Sequence, residues 1–143
     1  MFGKRKKAVD GAARLRGLAF FEGFSDADLD RVAQLADDVE IEAGELLIDQ
    51  GRVGQECYVI ESGQAEVFVG EEHLVTVGPG SMVGEMALVD RRPRTATVVA
   101  TTPMALLAFD TKAFQKLLSE MPKAEERVYS LLATRLKANL KAD

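Results

Sequence analysis

Residues 78–100 read GPGSMVGEMALVDRRPRTATVVA. Gly78-Pro79-Gly80 ends one strand-like run, and Gly84 permits a sharp entry into Glu85–Val89, which is long enough for one helical turn. Arg91-Arg92-Pro93-Arg94 follows, and the chain then resumes as a strand over Thr95–Ala100. Between Val39 and Asp110 there are four positive charges, Arg52, Arg91, Arg92 and Arg94, against 12 acids. Three of the four sit in this one stretch. A concentrated positive cluster in an acidic sheet asks for a bound anion.

Outward from this stretch, short β-rich runs alternate with turn residues. They are Val39–Ile41, Glu45–Ile48, Glu56–Ile60, Ala65–Val69, His73–Val77, Thr95–Ala100 and Met104–Phe109. Eight of the 12 glycines fall between Gly44 and Gly84, as a compact set of hairpins requires. Val67/Val69 and Val75/Val77 are expected to face inward across a hairpin at Gly70-Glu71-Glu72. Strands at this spacing predict a β-sandwich or small barrel.

Helices flank the sheet region. Leu15, Leu18 and Ala19 start an apolar stripe that runs into Phe20-Phe21 and breaks at Gly23. Ser25 reads as a cap for a helix carrying Leu29, Val32, Ala33 and Ala36 and ending near Asp37. After the sheet, Asp110 or Thr111 caps a segment with Phe114, Leu117 and Leu118, and Pro122 opens a longer helix. Val128, Leu132, Leu136 and Leu140 share its stripe, with Leu131 beside it. One domain is expected, divided as leading helices over 1–37, the sheet over 38–110 and trailing helices over 111–143.

Composition removes several classes. The chain has 143 residues, enough to bury roughly two-thirds of its unfolded surface. The net charge of −5 argues against nucleic acid as the main partner. A single cysteine, Cys57, excludes an internal disulfide framework or a CxxC zinc site. A single histidine, His73, excludes a histidine-clustered metal centre, including the metal site of a cupin enzyme, and no paired acids flank a cleft. An enzyme is not expected. No apolar run approaches the ~20 residues of a membrane helix, and the opening MFGKRKKAVDG has no apolar stretch behind its cations. A cytoplasmic protein is expected. The basic tip, Lys4 to Lys7, reads first as a frayed, solvated terminus and second as a contact for an acidic partner or a membrane surface. Cys57, in the run Cys57-Tyr58-Val59-Ile60, reads as an inert core thiol, and His73 as an exposed hairpin residue.

The chemistry of the anion can be narrowed. Free amides at the start of the Glu85–Val89 turn attract a phosphate. The planar fork of Arg94 suits the two exocyclic oxygens of a phosphodiester better than a lysine would. Glu85 repels a phosphate but makes sense if it accepts from a neighbouring hydroxyl, such as a ribose 2′-OH. A phosphate beside a free ribose hydroxyl describes a cyclic nucleotide.

Gly84-Glu85-Met86-Ala87-Leu88 followed by Arg94-Thr95-Ala96-Thr97 resembles the phosphate-binding cassette of the cyclic-nucleotide-binding domain family. That family includes ligand domains of the catabolite activator protein, of cyclic-nucleotide-dependent kinases and of gated channels. The resemblance implies an eight-stranded β-roll, or double-stranded jelly roll, with N-terminal helices, a short cassette helix and a C-terminal helical lid. It implies that Gly84 and Ala87 offer amides, Ala87 to the phosphate, that Glu85 accepts from the 2′-OH and that Arg94 pairs with the phosphate. Thr95 would reach phosphate or base, and Met82 and Val83 would line the sugar and base. Met86 and Ala96 complete the set. Arg135 falls where some channel-type members present a base-contacting arginine, and Leu131 or Leu132 could cap the ring. Arg91 and Arg92 read as solvated loop charges.

The expected function is that of a sensing module for cAMP in preference to cGMP, with no cofactor besides that ligand. The alternative is a non-binding β-roll that serves as a protein-interaction module. The family's transcription factors append a helix-turn-helix after the lid, whereas Asp143 ends this sequence, so the effector is expected on another chain. Met1 favours a natural start, and the last helix could support a homodimer.

Overall fold

The computed structural model describes residues 4–142, with the side chains of residue 90 and of 136–142 excepted. Among these residues nine strands form two antiparallel sheets. The first has five, in the order β1-β2-β9-β4-β7: β1 (Lys4–Lys7), β2 (Asp37–Ile41), β9 (Met104–Asp110), β4 (Glu56–Ser62) and β7 (Met82–Val83). The second has four, in the order β3-β8-β5-β6: β3 (Leu46–Ile48), β8 (Thr97–Ala100), β5 (Ala65–Val69) and β6 (Glu72–Val77). Five α-helices accompany them: α1 (Gly11–Leu15), α2 (Asp26–Leu35), α3 (Glu85–Asp90), α4 (Thr111–Glu120) and α5 (Pro122–Ala142).

Two cores result, and the alternation of side chains along β4 and β9 separates them. Cys57 and Val59, with Leu107 and Phe109, face the helices and pack with Phe21, Leu29, Phe114, Leu117 and Val128. Tyr58 and Ile60, with Leu106 and Ala108, face the other way and pack between the sheets with Val39, Ile41, Leu47 and Val98. Both faces of these strands are buried, so their sequences are nearly continuous apolar runs.

The helix signals hold locally. Ser25 Oγ accepts from the Asp28 amide at 3.1 Å, and the Asp110 carboxylate accepts from Ala113 at 2.7 Å, which settles Asp110 rather than Thr111 as the cap. Leu15 to Phe21 divide between α1 and a 3-10 turn at Ala19–Phe21. The helix expected to end near Asp37 stops at Leu35, because Asp37 is already paired in β2.

Nine strands stand where eight are expected, and the basic tip is not frayed where it is described. Lys4, Lys6 and Lys7 stand opposite Glu40, Asp38 and Asp37 in the β1–β2 register, which sets opposite charges across the ladder. Arg5 forms a two-pronged contact with Glu56, at 2.6 and 2.5 Å. Arg14 of α1 reaches Asp38 of β2 and Glu61 of β4, both at 2.7 Å. These carboxylates hold its pKa well above the ordinary arginine value. The leading segment is therefore bound to the sheet through ion pairs.

Candidate functional site

The cassette folds as a tight loop onto the sheet. Gly84 has φ +88°, a left-handed conformation open to glycine, and it turns β7 into α3. The leading N–H groups of such a turn have no intrahelical acceptor. Arg94 returns beside it, just before β8. Its Nη1 donates to the Gly84 carbonyl at 2.8 Å and its Nη2 to the Glu56 carbonyl at 2.5 Å.

Arg94 is 9% exposed, and among the described residues no carboxylate lies within ion-pair distance of it. Burial pulls its pKa below the ordinary arginine value, and Tyr58, Cys57, Glu56 and Glu85 work in the opposite direction. The described direct hydrogen bonds of this guanidinium go to two backbone carbonyls, and it borders a cavity of about 610 Å³. That size falls within the ~300–1,000 Å³ of ordinary small-molecule sites. Val83, Gly84, Met86, Ala87, Thr95, Ala96 and Arg135 line the same cavity. Eight of the expected residues therefore converge, Arg94 included.

Two do not line it. Met82 points into the helix-side core at 1% exposure, because consecutive strand residues face opposite sides and Val83 takes the cavity face. Only the Met82 carbonyl takes part nearby, accepting from Arg135 at 2.7 Å. Glu85 is fully buried, and one carboxylate oxygen accepts from Arg135 Nη1. The other, Oε2, is buried without a hydrogen-bond partner. Neither leucine considered as a ring cap lines the cavity: Leu132 belongs to the helix-side core and Leu131 packs against it. Leu136 and Leu140 lie outside the described side chains. Cys57 is buried in the core and its thiol pKa is pushed well up, first by burial, as expected of an inert thiol.

Sequence reasoning missed Gly54 and Glu56. A Cβ at Gly54 would stand 2.6 Å from the Ala87 Cβ and 2.8 Å from Arg94 Cζ, so only a glycine lets the guanidinium pass. Glu56 contributes its carbonyl to Arg94 and its carboxylate to Arg5 and Tyr58, the latter at 3.1 Å. A glycine two residues ahead of a buried strand was the available signal for the first. A backbone carbonyl leaves none.

Comparison with known proteins decides the family. The profile of the cyclic nucleotide-binding domain matches residues 38–121. The chain belongs to the cyclic nucleotide-binding domain family. A cAMP-dependent protein kinase regulatory subunit from Blastocladiella emersonii is 38% identical over 95 residues, which span 63% of this chain and 24% of that protein. Its counterpart from Yarrowia lipolytica is 37% identical over 98 residues, 68% of this chain and 26% of that protein. The cyclic nucleotide-binding domain thus spans about a quarter of the curated relatives it matches. Among solved structures, the Thermus thermophilus catabolite activator protein superposes with a TM-score of 0.76 at 29% identity, over 87% of this chain and 62% of that one. A mutant cAMP-binding acyltransferase from Mycobacterium smegmatis gives 0.71 at 33%, over 89% and 41%. The expected β-roll is the fold these proteins share.

Proposed function

We propose that this domain captures a cyclic purine nucleotide, cAMP in preference to cGMP, and passes the event to an effector on another chain. The observation that carries this reading is Arg94, a buried guanidinium without a carboxylate, facing a cavity beside the Gly84 turn. Burying an unpaired charge is costly, and an anion is the partner that offsets it. A cyclic phosphate fits between Arg94 and the amides of Gly84 to Ala87, with Thr95 adjacent. Glu85 Oε2, buried without a hydrogen-bond partner beside the Arg135 contact, becomes the acceptor for the ribose 2′-OH once Arg135 withdraws. The names of the relatives and of the acyltransferase favour cAMP.

In this reading Arg135 joins α5 to the site, so the helix moves as the ligand enters and closes over the base. Closure advances only as far as the ligand prefers the closed state. The domain binds and does not catalyse. We place it in the cytoplasm, with homodimerisation through α5 as a further expectation. No described helix is long and apolar enough to cross a membrane.

The test is titration calorimetry with cAMP and cGMP side by side, on the wild type and on Arg94→Ala. Tight binding of cAMP by the wild type, weakened about tenfold or more in the variant, supports the proposal. Equal affinities remove Arg94 from the site. A second reading, a non-binding interaction module, has one observation in its favour: Arg94 and Glu85 find hydrogen-bond partners within the chain, in two carbonyls and in Arg135. A thermal shift with neither nucleotide at millimolar concentration would favour it.

A further inference from the structure

One wall of the cavity is the hairpin of β5 and β6, and a single residue breaks its apolar character. Val69 pairs with Glu72, and Val67 pairs with Val75. Directly paired residues of an antiparallel ladder project to the same face, so Glu72 stands with Val67, Val69 and Val75. All four line the cavity. Phe68 and His73 pair on the opposite face, with ring centroids 5.4 Å apart. Glu71, next in sequence, is not among the lining residues.

Among the described residues Glu72 is the one acid that lines the cavity, where the other charged groups are Arg94 and Arg135. It makes no hydrogen bond or ion pair with any described residue. A hairpin carboxylate is ordinarily a solvated charge. Glu72 is exposed too, but strand register directs it onto the surface against which a flat ring would lie.

We propose that Glu72 reads the base: its carboxylate accepts from the exocyclic 6-amino group of adenine. The inference rests on the cAMP reading given above and adds the group that distinguishes the purines. An ionised carboxylate only accepts hydrogen bonds. At ring position 6 adenine presents an amino donor, whereas guanine presents a carbonyl oxygen. Facing Glu72, the first makes a hydrogen bond and the second sets two acceptors against each other. A site that pairs a donor rejects the analogue that lacks it.

Calorimetry of the full chain with cAMP, cGMP and the cyclic 3′,5′-monophosphate of purine riboside, which lacks the 6-amino group, tests this. The wild type is expected to bind cAMP about fivefold or more tightly than the purine analogue. Glu72→Ala should shrink that gap to within about twofold and leave the affinity for the analogue unchanged. Glu72→Gln, which keeps an acceptor oxygen, should retain part of it. A gap that survives in Glu72→Ala, an equal loss for all three ligands, or a loss confined to cGMP overturns the assignment. If the wild type binds the purine analogue as well as it binds cAMP, base reading by Glu72 fails while nucleotide capture stands. If it binds no nucleotide, both fail.

Discussion

Arg135 of α5 donates to the buried carboxylate of Glu85 and, through its other terminal nitrogen, to the Met82 carbonyl. The last helix is thereby tied to the two residues that flank Val83 and Gly84. Removing one member of a buried ion pair leaves the other uncompensated. Arg135→Ala is expected to destabilise the domain by about 1–3 kcal/mol, below the range for fully buried pairs because the Arg135 side chain is 32% exposed. The double variant Arg135→Ala/Glu85→Gln should recover most of that loss. Urea unfolding of both decides it, and equal losses would refute the coupling.

Arg94→Ala is expected to act on binding more than on the fold. It leaves the Gly84 and Glu56 carbonyls short of one donor each, at a cost of about 1–2 kcal/mol, but it also removes a buried charge. Circular dichroism should show an unchanged sheet signal, while calorimetry shows the loss of cAMP affinity. A variant that unfolds at room temperature would contradict this balance.

Gly54→Ala probes the same guanidinium from behind. The added methyl would overlap Ala87 and Arg94 at 2.6 and 2.8 Å, so one of them must shift. Overpacking of this kind costs about 1–3 kcal/mol. Nucleotide affinity should fall about tenfold or more, since displacing Arg94 removes the anion's partner. Wild-type affinity in this variant would show that the position of Arg94 tolerates movement.

Cys57 predicts an alkaline limit. Burial raises its thiol pKa above the ordinary 9.0, so the folded chain keeps a proton that the unfolded chain releases. The folded state then binds more protons, and stability falls as pH rises past about 9. Tyr58, also raised and chiefly by burial, adds to the decline above its ordinary 10.0. Chemical denaturation at pH 7.5 and 9.5 should show a smaller drop for Cys57→Val than for wild type. An identical drop would place the alkaline sensitivity elsewhere.

Most of the sheet is readable because β4, β5 and β6 are β-rich runs separated by glycines and β9 is an apolar run set off by Thr101-Thr102-Pro103, and the cassette because its turn, its arginine and its strand are contiguous. What escaped was long-range. Lys4–Lys7 carries no apolar period, and its place in the sheet comes from backbone pairing with residues about thirty positions away, Asp37 to Glu40, and from the Arg5–Glu56 ion pair. The resemblance puts Met82 on the ligand wall with Val83, but neighbours on a strand cannot share a face. The resemblance places Arg135 at the base or on an exposed helix face; it lines the cavity, and no local signal shows that it also spans fifty positions to meet Glu85. Glu72 could have been found by extending the inward face of Val67 and Val69 across the turn.

β4 and β9 lie in the middle of the molecule, with one face in each of its two cores. Neither layer can loosen without stripping the strands the other depends on. Melting should accordingly be all-or-none, with a single calorimetric peak whose van't Hoff and measured enthalpies agree.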